Sequence, residues 1–116
     1  MNLLNKLLGR QNKDAITWVD VSELATLLET ESPPLVVDVR GPDEFTGPLG
    51  HIASAQNIPL DQLAGRIAEL TDEQRPLIFV CHTDRRSSAA ADHLRRAGRT
   101  NIAVLRGGMV AWRQMR

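Results

Sequence analysis

The chain's one cysteine, Cys81, stands where an apolar run gives way to a charged turn, in the stretch LIFVCHTDRRSSAAADHLRRAG at residues 77–98. A free cysteine is often just a small buried hydrophobe; it becomes a nucleophile where its surroundings stabilise the thiolate. The run LIFV predicts a strand, and a helix is predicted to begin about five residues after Cys81. A tight loop between them turns backbone N–H groups inward and adds the positive end of the helix dipole, a setting for an anion. In an open α/β sheet such a loop lies outside the carboxyl ends of the strands, where ligands bind. On this reading Cys81 is the catalytic nucleophile, and His82, Thr83, Asp84, Arg85, Arg86 and Ser87 surround what it binds. The side chains of Arg85 and Arg86 would attract an anionic substrate.

Asp38 and Arg40 end another predicted strand and so belong to the rim of the same crevice. Their expected role is scaffolding, with Asp38 capping local backbone and Arg40 pairing with Asp43 or Glu44. His51 is also expected to be structural, because a nucleophile that is already a thiolate needs no general base. One cysteine and three scattered histidines, His51, His82 and His93, show no metal-ligand spacing, so neither a metal nor an organic cofactor is expected. Gly107 and Gly108 read as turn residues and Trp112 as core.

Short apolar runs bounded by Pro, Gly and Asp alternate with segments of helical period, the pattern of a three-layer α/β fold with a central, mostly parallel sheet of about five strands. The expected strands are ITWV, LVVDV, AQNI, LIFVC and IAVL. In VSELATLLET, Ser22 is the expected helix cap; in PLDQLAGRIAEL it is Asp61, with Leu63, Ala64, Ile67 and Leu70 on the buried face. RSSAAADHLRRAG reads as a helix stopped by Gly98, and GGMVAWRQM as a short last helix.

A length of 116 residues fits one domain. The 14 basic and 14 acidic residues balance, which argues against a nucleic-acid partner. Of the basic residues only Lys6, Arg10, Lys13 and Arg40 precede residue 60, which favours a local anion site. Residues 1–14, MNLLNKLLGRQNKD, are expected to be a leucine-rich extension ahead of a domain at 15–116. They are too short and too polar for a membrane span or a secretory leader, so the expected location is cytoplasmic, where a lone thiol stays reduced.

The stretch CHTDRRS resembles the active-site loop of rhodanese-like domains, CxxGxR followed by Ser. DVRGPDEFTGPLGHIASAQNIP is similar to that family's DVRxxxEFxxGHIxGAxNIP, with an insertion between Gly47 and Gly50, and LRGGMVAW to its LxGGxxAW. The resemblance covers residues 15–113 and implies a sulfurtransferase. It would move sulfane sulfur from a small anionic donor such as thiosulfate, through a Cys81 persulfide, to cyanide or a thiol. It also leaves room for a persulfide carrier serving a protein acceptor, and for a non-catalytic binding or regulatory module. The six-residue span from Cys81 to Arg86 is the sulfur-transfer length; phosphatases of this fold use one residue more. Asp84 stands where the family has glycine, so a positive φ is expected there, with the carboxylate pointing outward or paired with Arg85. Ser54 replaces a second glycine, and the inserted Pro48 and Leu49 are expected to lengthen a surface loop away from the nucleophile.

Overall fold

The computed structural model describes residues 16–116; the expected extension at 1–14 lies outside them. Five strands, β1 (Trp18–Val19), β2 (Leu35–Asp38), β3 (Gln56–Asn57), β4 (Leu77–Val80) and β5 (Ile102–Leu105), form one sheet in the order β1-β5-β4-β2-β3. All pairings are parallel. The expected strands are all present, most of them trimmed at an end. Five helices cover the sheet: α1 (Val21–Leu28), α2 (Pro42–Phe45), α3 (Ile67–Asp72), α4 (Arg85–Arg96) and α5 (Gly108–Met115), with a 3-10 segment at Leu60–Arg66.

Side chains alternate across a strand, and this period builds two cores. Val36, Ile78, Val80, Ala103 and Leu105 face α1 and α5, where Leu24, Leu27, Met109 and Trp112 complete one cluster. Val37, Phe79, Ile102 and Val104 face the other way, onto Leu63, Leu70, Ala90, Ala91 and Leu94. Continuing this alternation past β4 carries Cys81 to the second face, under α4.

Local chemistry corrects two expected caps. Asp20, not Ser22, caps α1: its carboxylate accepts from the Glu23 N–H at 2.8 Å while Glu23 accepts from the Asp20 N–H at 2.9 Å, a reciprocal box that satisfies two end donors. Asp61 caps nothing, because the chain first winds as a 3-10 helix after Pro59 and only then becomes α3. Ala64 is exposed as a result, while Leu63 and Leu70 stay buried. The short α2 was not expected; Pro42 starts it, with φ preset for a first turn, and the Glu44 carboxylate accepts from the Gly41 N–H. Among the described residues no helix is long and apolar enough to cross a membrane.

Candidate active site

Strand β4 delivers Cys81 to the carboxyl edge at the centre of the sheet, between β5 and β2. The thiol is 1% exposed and belongs to the second core, so it does not stand clear of the apolar run as the charged turn predicts. Its sulfur nevertheless has polar partners. Sγ accepts from the Ser87 N–H at 3.3 Å and lies 3.2 Å from Ser87 Oγ, which in turn bonds the Asp84 carbonyl at 3.2 Å. The hydroxyl has one hydrogen: beside a thiol it can go to the Asp84 carbonyl, and beside a thiolate it can rotate onto sulfur.

The loop's shape comes from α5. The Met109 and Val110 N–H groups donate to the carbonyls of Cys81 and His82 at 2.8 and 3.1 Å. Gly108, at φ +57°, lets this helix end approach so closely that a Cβ there would lie 2.4 to 2.6 Å from the carbonyl oxygens of Cys81, His82 and Thr83. Three successive carbonyls therefore point toward α5. Among the described residues, nothing in the protein accepts from the N–H groups of residues 82 to 86, and α4 begins there with no side-chain cap. A loop with carbonyls held on one side and free amides on the other is a nest for an anion.

Asp84 is relaxed at φ −131°, in place of the expected positive φ. Its carboxylate does not pair with Arg85; it accepts from the Gly107 N–H at 2.6 Å, a second tie to α5. Arg86 makes a two-pronged contact with Glu44, at 2.6 and 2.9 Å. This contact, helped by the Gly41 N–H, holds the Glu44 carboxyl down at about 2 and raises Arg86. Arg85, His82 and Thr83 are exposed.

Asp38 and Arg40 form a buried ion pair, each 1% exposed, with Nη2 to Oδ2 at 2.7 Å and Nε to Oδ1 at 3.0 Å. The expected partners Asp43 and Glu44 are replaced by Asp38 itself, because Arg40 turns inward; its remaining donors go to the carbonyls of Glu44 and Gly50. Asn57 Nδ2 ties this turn by donating to the Asp38 and Arg40 carbonyls at 2.9 Å. His51 is tied up structurally, stacked 3.7 Å from Phe45 and bonded to the Phe45 carbonyl.

The insertion lies at the site after all. Pro48 and Leu49 join Arg40, Glu44, His82 and Val110 around a mouth of about 390 Å³. Arg113 steers the inserted turn there by donating to the Leu49 carbonyl at 2.6 Å. Residues missed as site components are thus Glu44, Asn57, Gly108 and the inserted pair. Of these, Glu44, Asn57 and Gly108 stand at fixed positions of the family motifs and so were signalled there, whereas the inserted pair matches no motif position.

Comparison with known proteins agrees with this geometry. Residues 6–115 match the family described as the rhodanese-like domain. The uncharacterized protein YqhL of Bacillus subtilis is 44% identical over 77 residues, which cover 66% of this chain and 59% of YqhL, so the chain spans less than two thirds of that relative. The thiosulfate sulfurtransferase GlpE of Shewanella oneidensis is 33% identical over 96 residues, 83% of this chain and 91% of GlpE. The crystal structure of the Alr3790 protein from Anabaena superposes with a TM-score of 0.73 at 28% identity, over 84% of this chain and 75% of that one. With three motifs in order, a matching fold and a family match over nearly its whole length, the chain belongs to the rhodanese-like domain family.

Proposed function

We propose that the protein is a sulfurtransferase working through a persulfide on Cys81. The Cys81 thiolate attacks the outer sulfur of a donor such as thiosulfate; an Sγ–S bond forms, the donor's S–S bond breaks, and its electron pair leaves with sulfite. An acceptor, cyanide or a thiolate, then attacks the outer sulfur and returns Cys81 as thiolate. The cycle is redox-neutral and as written needs no metal or organic group. The observation that supports it best is the nest: free N–H groups at residues 82 to 86, with that of Ser87 on the sulfur, are suited to a thiolate and to the outer sulfur of a persulfide. Arg86 adds positive potential at the sulfur, and the Asp38–Arg40 pair holds the rim. A cytoplasmic, reducing setting would keep the thiol available.

The test is to incubate the protein with thiosulfate or an organic persulfide, measure the intact mass, and repeat with Cys81→Ser. The wild type should gain one sulfur that cyanide removes, and the variant none. The burial of Cys81 favours a second reading, a binding or regulatory module that does no chemistry. A wild type that gains sulfur from neither donor would overturn the sulfurtransferase reading and leave this one standing.

A further inference from the structure

We infer that the mouth beside Cys81 selects an organic sulfane-sulfur donor, one whose outer sulfur is carried by an apolar group with a single negative charge, over inorganic thiosulfate, and that Leu49, Val110 and Glu44 set this preference. The inference rests on the sulfurtransferase reading. His82 directly follows the nucleophile, and the Val110 N–H holds the His82 carbonyl, so one wall of the mouth is continuous with the cysteine loop. The facing wall brings Pro48 and Leu49, apolar residues of the insertion.

The guanidinium that lines the mouth is already matched. Arg40 lies against Asp38, and Arg86, outside the lining, is gripped by both oxygens of Glu44, the carboxylate that lines it. Arg85 is exposed but does not line the mouth. The sulfonate end of thiosulfate would leave water for an apolar wall, with two guanidiniums spent on carboxylates. Replacing one charged oxygen of that group by a carbon ring removes a charge and supplies apolar surface to bury.

The reaction balances as before. Cys81 thiolate takes the outer sulfur of benzenethiosulfonate, its S–S bond breaks, and the electron pair leaves with benzenesulfinate.

The experiment measures the rate constant for adding one sulfur to Cys81, by intact mass, with benzenethiosulfonate and with thiosulfate. Dividing each by the rate with free N-acetylcysteine at the same pH removes intrinsic donor reactivity. The wild type should favour the organic donor by about tenfold after this division, a typical discrimination for an apolar pocket. Leu49→Ser and the isosteric Val110→Thr should each cut that preference roughly threefold, on the order of one lost apolar contact, and Glu44→Gln should raise thiosulfate loading by freeing Arg86. A wild type with no preference, or a preference unmoved by Leu49→Ser and Val110→Thr, overturns the inference. Efficient loading from thiosulfate alone would do so while leaving the sulfurtransferase reading in place; loading from an organic persulfide but from neither of these donors would also overturn the inference and leave that reading, and loading from none of the three would remove both.

Discussion

The Asp84 carboxylate accepts a hydrogen bond from the Gly107 N–H at 2.6 Å. The charge that stands at the family's glycine position therefore serves as a brace between the cysteine loop and the start of α5. Asp84→Asn keeps an acceptor and should change loading of Cys81 by less than about twofold, whereas Asp84→Ala loses a charged hydrogen bond and should cost about 1.5–3 kcal/mol in urea unfolding. Asp84→Gly should not raise activity, because φ here is negative and glycine is not required. A gain in loading rate for that variant would show that the carboxylate hinders the thiolate.

Ser87 is the only side chain bonded to the sulfur among the described residues. Ser87→Ala keeps the backbone N–H on sulfur but removes the hydroxyl. Alkylation of Cys81 by iodoacetamide at pH 7 should slow by roughly tenfold, the equivalent of one hydrogen bond to a charged group. An unchanged rate would mean that the hydroxyl stays on the Asp84 carbonyl in both states of the sulfur.

Gly108 has no room for a side chain. Gly108→Ala must strain a positive φ, roughly 1–3 kcal/mol by itself, and push back three loop carbonyls. Both thermal stability and sulfur loading should fall, whereas Gly65→Ala, with open space at its Cβ, should leave loading intact.

The Asp38–Arg40 pair lies where a single unpartnered charge is costly. Asp38→Ala should destabilise by about 3–5 kcal/mol because Arg40 stays buried without a carboxylate. Replacing both residues, Asp38→Leu with Arg40→Leu, should cost less than the single change, which a double-mutant cycle in urea measures directly.

Glu44 gives the acid limb of stability a site-specific component. Its carboxyl is lowered from 4.5 to about 2 in the folded chain, chiefly by the Arg86 hydrogen bonds. A depressed folded-state value means stability that is fully present above 4.5 and lost as pH falls through about 2. Glu73, held at about 2 by Arg75, titrates over the same window, so the difference between wild type and Glu44→Gln is the informative quantity. That difference in Tm should be constant from neutrality to about pH 5 and shrink toward zero near pH 2. A difference that grows on acidification would remove the ion pair as its cause.

Much of this architecture is written in local patterns. The apolar runs at 35–39, 77–81 and 102–105 are buried on both faces and so could only be central parallel strands, and the alanine-rich segment after Arg85 could only be a helix. The position of Cys81 at a strand's carboxyl end followed from the same runs. What could not be read locally depends on distant partners. Arg40 prefers Asp38 because burial leaves it no nearer carboxylate, and Asp84 finds an N–H from residue 107, far along the chain. Leu49 reaches the mouth because Arg113 draws its turn inward, a contact between positions 64 residues apart. The burial of Cys81 likewise depends on how α4 closes over Phe79 and Val104, which the polarity of HTDRRS does not reveal.

The grip of α5 on the cysteine loop also divides the labour along the chain. A chain cut after Leu105 would keep its thiol and every strand of the sheet, but lose the ties from residues 107, 109 and 110 that hold the loop. The sulfur is thus a product of the sheet, and the shape of its surroundings a product of a helix that follows the whole sheet in sequence.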